Sequence, residues 1–331
     1  MAELVFVGCY TGEAGNGTGI TTFSRSATGS LTEVASLPLE SPSWLVRHPS
    51  LPVLYAVNET AAGSVTALSF DDSGKLSVLG TAETGGAHPC HLAVTADGRF
   101  LLCANYTGGS LAVFSLSPSG SIEARTALVQ HEGSGPDTDR QEAAHVHMAV
   151  PSADGTVVSA VDLGTDEIRS YTLAPDGSVE LLAVSALPPG TGPRQLVRRP
   201  GTDLAYVVGE LAGTVVTVRE SSPGAFDVVS VTPSTLSPVT PNLVAHLELT
   251  GTRMYVSNRG PDCVTEFALD DAAAVTDQPC GANPRHFALV DGTCYVAAQS
   301  ADAITAFRLT ASGDAELTSY PTGSPTFVLP V

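Results

Sequence analysis

Three residues in this chain could together do acid–base chemistry on an anion: His147, Arg194 and Glu210. A carboxylate such as Glu210, or a neutral imidazole such as His147, can take a proton from water. Arg194, with Arg259 or Arg285, offers planar donors to a carboxylate, a phosphate or a developing oxyanion. Tyr10, His91, His145, His286 and Gln299 add donors and acceptors suited to holding a small molecule. Imidazoles also suit metals, but no H-x-x-x-H or H-E-x-x-H spacing occurs and the arginines would repel a cation, so neither a metal nor a cofactor is expected. A G-x-S-x-G turn is missing, as is a P-loop or a G-x-G-x-x-G that opens a helix, which leaves nucleophilic-serine and nucleotide chemistry without support.

These residues lie far apart in sequence, so an architecture must gather them. The chain contains a recurring unit: an apolar strand opened by a proline or polar residue, a turn, and a second apolar strand that ends in a polar residue. Examples are PCHLAV (89–94) with LLCANY (101–106), and PRQLV (193–197) with AYVVGE (205–210). Copies start at 42, 89, 145, 193, 244, 284 and 325, a mean spacing of about 47 residues. Two further strands follow in each copy, such as SVTALSF (64–70) and KLSVLG (75–80), parted by turn sequences like DDSG. No segment keeps a 3.6-residue apolar period. Seven four-stranded repeats predict an all-β, seven-bladed β-propeller, one domain over residues 1–331. The last copy (325–331) lacks partners that residues 4–10, 18–24 and 31–37 supply, so the ends should share a blade and close the ring.

In a propeller the first strand lines the channel and the second runs back against it. The start of one and the end of the other therefore reach the same mouth. The starts bring His91, His145, His147, Arg194, Gln195, His246, Arg285 and His286, with Trp44; the ends bring Tyr10, Glu59, Tyr106, Glu210, Arg259 and Gln299. Asn58, Asn105, Asp162 and Asn258 recur at like positions and read as architecture. His147, Arg194, Glu210 and Arg259 break the repeat and read as function. Residues 131–144 form an acidic, Gly/Pro-rich insertion beside His145 and His147, expected to be a lid or wall.

Composition narrows the partners. With 15 basic and 34 acidic residues, net charge −19, the chain has no basic face for nucleic acid or for an anionic membrane. Nothing approaches 20 continuous apolar residues, and the opening MAELVFVGCY has no leader pattern. The six cysteines form no C-x-x-C pair and read as buried thiols in a reducing cytoplasm. The oligomeric state is left open.

The segments VGCYTG (7–12), LYAVNE (54–59), HPCHLAV (88–94), ANYTGGSLAVF (104–114), GPRQL (192–196), VVGEL (207–211), VSNRG (256–260) and PRHFAL (284–289) give the chain a resemblance. It resembles the seven-bladed propeller lactonase family, which includes propeller-type bacterial 6-phosphogluconolactonases and a fungal carboxymuconate-lactonizing cyclase. The resemblance implies active-site roles for His147, Arg194 and Glu210, with His145 beside the first, and arginines at Arg259 and Arg285. Cys9 stands where threonine is usual, Gly209 and Ala298 where asparagine is usual, and Ala144 where proline precedes the histidine. These changes reshape the pocket and bear on the particular substrate.

The expectation is thus a cytoplasmic hydrolase of an anionic sugar lactone, with Glu210 or His147 as base and no cofactor. Its rivals are a cofactor-independent cycloisomerase or lyase acting on a carboxylated ring, and a non-catalytic binding propeller.

Overall fold

The computed structural model describes residues 3–237, 239–270, 273–310 and 312–331. Its strands form seven four-stranded antiparallel sheets. Blade 1 joins residues 3–38 to 325–330; blades 2 to 7 span 45–83, 89–130, 146–186, 193–233, 243–279 and 284–321. Among the described residues the only helical turns are two 3₁₀ segments, Gly12–Ala14 and Gln299–Ala301.

The strand sequences explain the layering. Second strands such as Leu204–Gly209 (LAYVVG) and Phe100–Asn105 (FLLCAN) are apolar almost throughout and nearly fully buried. They read this way because a neighbouring blade covers each face. Fourth strands such as Leu31–Pro38 and Leu76–Glu83 are largely exposed, each anchored by a buried leucine at its start. The core is accordingly divided into seven apolar clusters, one between each pair of adjacent blades. Tyr206, Val208, Leu247 and Phe267, for example, join blades 5 and 6.

The ring closes as the repeat requires. Strand Pro325–Pro330 pairs with Glu3–Cys9, with Val7 opposite Val328 and Phe6 opposite Leu329. The innermost strands contact one another around the ring, including that of blade 1 against those of blades 7 and 2.

One irregularity recurs at the channel. In blades 3, 4, 5 and 7 the first strand carries one extra residue near its start, between Pro89 and His91, Val146 and Met148, Pro193 and Gln195, and Pro284 and His286. The pairing of Pro325 with Cys9 and of Phe327 with Gly8 makes Thr326 the extra residue in blade 1. A bulge interrupts the strict alternation of faces and re-aims the inserted side chain. Blade 6 bulges as well, between Val244 and Leu247; in the other five blades the inserted residues are Cys90, His147, Arg194, Arg285 and Thr326. All five border one cavity.

Candidate active site

The cavity has a volume of about 320 Å³ and opens at the mouth where first strands start and second strands end. Two tiers of the repeat build its wall. The bulge residues form one. The residues that end or directly follow the second strands form the other: Tyr10, Glu59, Tyr106, Glu210 and Arg259. A fourth arginine, Arg140, reaches in from the insertion between blades 3 and 4.

That insertion is pinned from within. Gln141 is fully buried and donates from Nε2 to the Leu163 carbonyl at 2.8 Å. Gly164 lets the loop backbone approach closely: a Cβ there would lie 1.8 Å from the Ala143 carbonyl oxygen. His131, at the loop's start, is buried between the Asp162 carboxylate (2.7 Å) and the Tyr171 hydroxyl (2.9 Å). Arg140 thus projects from a braced turn.

Glu210 is the hub of the cavity. Its Oε1 accepts from Arg140 Nη2 at 2.7 Å; its Oε2 lies 3.0 Å from Arg194 Nε and 2.8 Å from Arg259 Nη2. Burial alone would raise its pKa, but the Arg259, Arg194 and Arg140 guanidinia outweigh burial and hold the carboxyl far below the ordinary range. Burial pulls Arg259 down to about 10, which leaves it cationic at neutral pH. The guanidinia are themselves fixed by backbone: Arg194 Nη1 donates to the Ala245 carbonyl, and Arg259 Nε to that of Leu243 at 2.9 Å. His147 is held well below the usual imidazole range by burial and then by Arg194, so it stands neutral.

The opposite wall differs in kind. Glu59 sits three blades from Glu210, as far as a ring of seven allows. It accepts from the Tyr10 hydroxyl at 3.0 Å and from the Ser43 hydroxyl. Arg285 donates to the Tyr10 oxygen at 2.8 Å and lies over the Tyr10 ring, 4.9 Å from its centroid. Burial pushes the Glu59 carboxyl up, against the opposing pull of Ser43, Arg285 and Tyr10.

His147, Arg194, Glu210, Tyr10, Arg259 and Arg285 therefore share the cavity wall. His91, His145, His286 and Gln299, also expected at the site, lie off it. His91 and His286 come one residue after the bulge and so sit one layer deeper. There His91 packs on Trp44 (4.4 Å between centroids), and His286 packs between His246 and Phe327 (3.8 Å to each). These rings plug the channel beneath the cavity floor. His145 stacks on Tyr106 at 4.6 Å, with Nδ1 3.1 Å from the Tyr106 carbonyl oxygen and Nε2 3.1 Å from Glu142. It braces Tyr106 from behind. Gln299 opens a 3₁₀ turn and accepts from Asn283 Nδ2 at 3.1 Å. Asn58, Asn105 and Asn258 bond within or between strands as architecture, and Asp162 accepts from the backbone amides of His145, Gly164 and Thr165.

Sequence reasoning placed Glu59 and Tyr106 at the mouth without giving them a role, and it missed Arg140 and Ser43. Glu59 carried a readable signal, because it occupies the repeat position of Glu210. Arg140 carried none, because its loop has no counterpart in other blades. All six cysteines are unpaired; five are buried and Cys90 borders the cavity. Among the described residues no group of three His, Cys, Asp or Glu side chains is arranged to hold a metal ion, and no helix is long and apolar enough to cross a membrane.

A seven-bladed propeller with arginines gathered at one channel mouth defines a class, and comparison with known proteins gives the class its chemistry. The family model "Lactonase, 7-bladed beta-propeller" matches residues 4–330. The chain belongs to that family. It is 31% identical to the 6-phosphogluconolactonase of Bacillus subtilis over 273 residues, covering 80% of this chain and 77% of the relative. It is 27% identical to the 6-phosphogluconolactonase of Formosa agariphila, covering 86% of each. The periplasmic gluconolactonase of Pseudomonas aeruginosa superimposes with a TM-score of 0.91 at 28% identity, covering 100% of this chain and 99% of that one.

Proposed function

We propose that this enzyme hydrolyses a phosphorylated sugar lactone of the 6-phosphogluconolactone type. The observation that carries the reading is the charge of the cavity: four arginines and only two glutamates line it, inside a chain of net charge −19. Even with Glu210 shared among three guanidinia, an excess of positive charge is left for an anion. Arg140, Arg194 and Arg259 would receive the phosphate or carboxylate, and Glu210 would hold their forks in place. His147 and Tyr10 would border the sugar ring. Arg285, the arginine farthest from Glu210's grip, would face the lactone carbonyl, where an oxyanion develops on attack. Six unpaired thiols support a reducing compartment, the cytoplasm, as the site of action.

The test compares 6-phosphogluconolactone with its unphosphorylated counterpart. The lost charge-assisted hydrogen bonds should cost about 10²-fold in kcat/KM, and the preference should shrink as salt rises. Equal kcat/KM for the two would refute the phosphate reading. Reaction in ¹⁸O-labelled water should place one solvent oxygen in the product; a product without label would point to ring isomerisation instead.

A further inference from the structure

A lactonase needs a group that can take a proton from water and later return it to the leaving ring oxygen. The two groups that the sequence suggested are poorly placed for this. Glu210 Oε1 meets Arg140 and Oε2 faces both Arg194 and Arg259, at 2.7 to 3.0 Å, so the carboxylate is held as the counter-charge of three guanidinia and is a weak base. His147 can accept a proton, but burial and Arg194 outweigh the opposing pull of Glu210 and disfavour the imidazolium that would result.

Glu59 has the opposite surroundings. Its partners are two neutral hydroxyls, those of Tyr10 and Ser43, and among the described residues no arginine nitrogen lies within ion-pair distance of it. Each oxygen therefore keeps acceptor capacity. It borders the same cavity as the arginine cluster but on the far wall. Arg285 shares the Tyr10 hydroxyl with it and draws its carboxyl down by charge without forming an ion pair. An anion held by Arg140, Arg194 and Arg259 would thus place the remainder of its molecule toward Glu59 and Arg285.

We propose that Glu59 is the general base and then the general acid of the reaction, with Tyr10 and Ser43 positioning its carboxylate. This rests on the lactonase reading of the same cavity. The Glu59 carboxylate removes a proton from water as the water oxygen bonds to the lactone carbonyl carbon, and the π electrons move to the carbonyl oxygen beside Arg285. The tetrahedral species then reforms the carbonyl and breaks the bond to the ring oxygen. The departing alkoxide takes the proton from Glu59, which regenerates the carboxylate. The product acid releases its proton to solvent. Burial supports the assignment, since a carboxyl raised from its ordinary range is nearer the pH at which it must exchange protons.

The experiment measures kcat and KM across pH for the wild type and Glu59→Gln on a panel of phosphorylated and plain lactones, with spontaneous hydrolysis subtracted. The variant should lose on the order of 10²-fold or more in kcat with KM changed little. The acid limb of the wild-type profile should vanish with it. Glu59→Asp should keep the limb at reduced rate, and in Glu59→Ala added formate should restore turnover saturably. A Glu59→Gln enzyme that keeps the wild-type rate and the acid limb on any lactone the wild type opens would overturn the assignment. A wild type that opens plain and phosphorylated lactones equally, while Glu59→Gln opens neither, would overturn the phosphate reading and leave Glu59 as base. A wild type that opens no lactone would overturn both.

Discussion

Arg140 Nη2 lies 2.7 Å from Glu210 Oε1 across 70 positions of sequence, and the same nitrogen lies 3.2 Å from the Tyr106 hydroxyl. The contact ties the one insertion that departs from the repeat to the hub of the cavity. Arg140 is 38% exposed, however, whereas Glu210 is nearly buried. A partly exposed pair contributes under about 1 kcal/mol to stability, while a guanidinium at the cavity mouth can meet an incoming anion. Arg140→Ala should therefore raise KM about 10-fold, the worth of one charge-assisted hydrogen bond, and leave kcat within about 3-fold. Tm should move by less than about 2 °C. A large fall in Tm with an unchanged KM would make the arginine a brace and not a ligand contact.

Glu210 should behave in the reverse manner. Its carboxylate is the shared counter-charge of three guanidinia, two of them, Arg194 and Arg259, nearly buried. Removing one partner of such a group leaves uncompensated buried charge and costs about 3 kcal/mol or more. Urea unfolding of Glu210→Gln at neutral pH should show a loss of that order. The loss should also depend on pH. Glu210 has a folded pKa below its unfolded one, so its contribution is complete above the unfolded value of about 4.3 and declines as pH falls below it. The gap between wild type and variant should narrow from pH 5 to pH 3. A gap that stays constant over that range would assign the loss to shape and not to charge.

The repeat made the blades legible because each packs by the same rule. The third strands Ser64–Phe70 and Ser110–Leu116 fall where the repeat puts them, and the shared blade follows from a half-copy at each end of the chain. The cavity tiers were less legible. A single inserted residue leaves the apolar pattern of a short strand almost unchanged, yet it decides which side chain faces the cavity. His91 and His286 were therefore expected at the site but lie in the plug, while Cys90 lines the wall. Arg140 depends on Gln141 and Gly164 bracing its loop, which are contacts between distant parts of the chain with no repeat to mark them.

Ring closure has its own test. Val328 is 1% exposed and lies opposite Val7, in the cluster that joins blades 7 and 1. Val328→Asp would bury an unpaired carboxylate at the seam, and deleting residues 325–331 would remove the innermost strand of blade 1 and bare the edge of Glu3–Cys9. Both changes should yield aggregate or a species without a cooperative thermal transition, read by sedimentation and calorimetry. A truncated protein that melts as the wild type does would show that the seam carries no stability.

The channel plug should make the fold acid-sensitive well before its carboxylates are protonated. His91, His246 and His286 are buried in contact with Trp44 or with one another. Burial, reinforced by Arg194 and by the neighbouring imidazoles, lowers His91 to about 3. His286 is lowered for the same reasons, and His246 by burial and Arg194 against the opposing pull of Glu248. Each is neutral when folded and takes a proton more readily when unfolded. Stability is then highest above the unfolded value of about 6.5 and falls with pH below it, by up to about 1.4 kcal/mol per pH unit for each group. His246 gives the cleanest test. Neither ring nitrogen has a hydrogen-bond partner, the nearby Glu248 oxygen standing 3.5 Å from Nε2, and the ring packs edge-on against Phe287. His246→Phe keeps an aromatic plug and removes one titrating group without breaking a hydrogen bond. At pH 7.5 the variant should unfold in urea at or above the wild-type midpoint. Its advantage should grow as pH is lowered from 6.5 to 5, because the wild type loses a term that the variant lacks. If instead the two unfolding midpoints fall in parallel over that range, His246 does not titrate on unfolding, and the acid sensitivity belongs to His91 and His286.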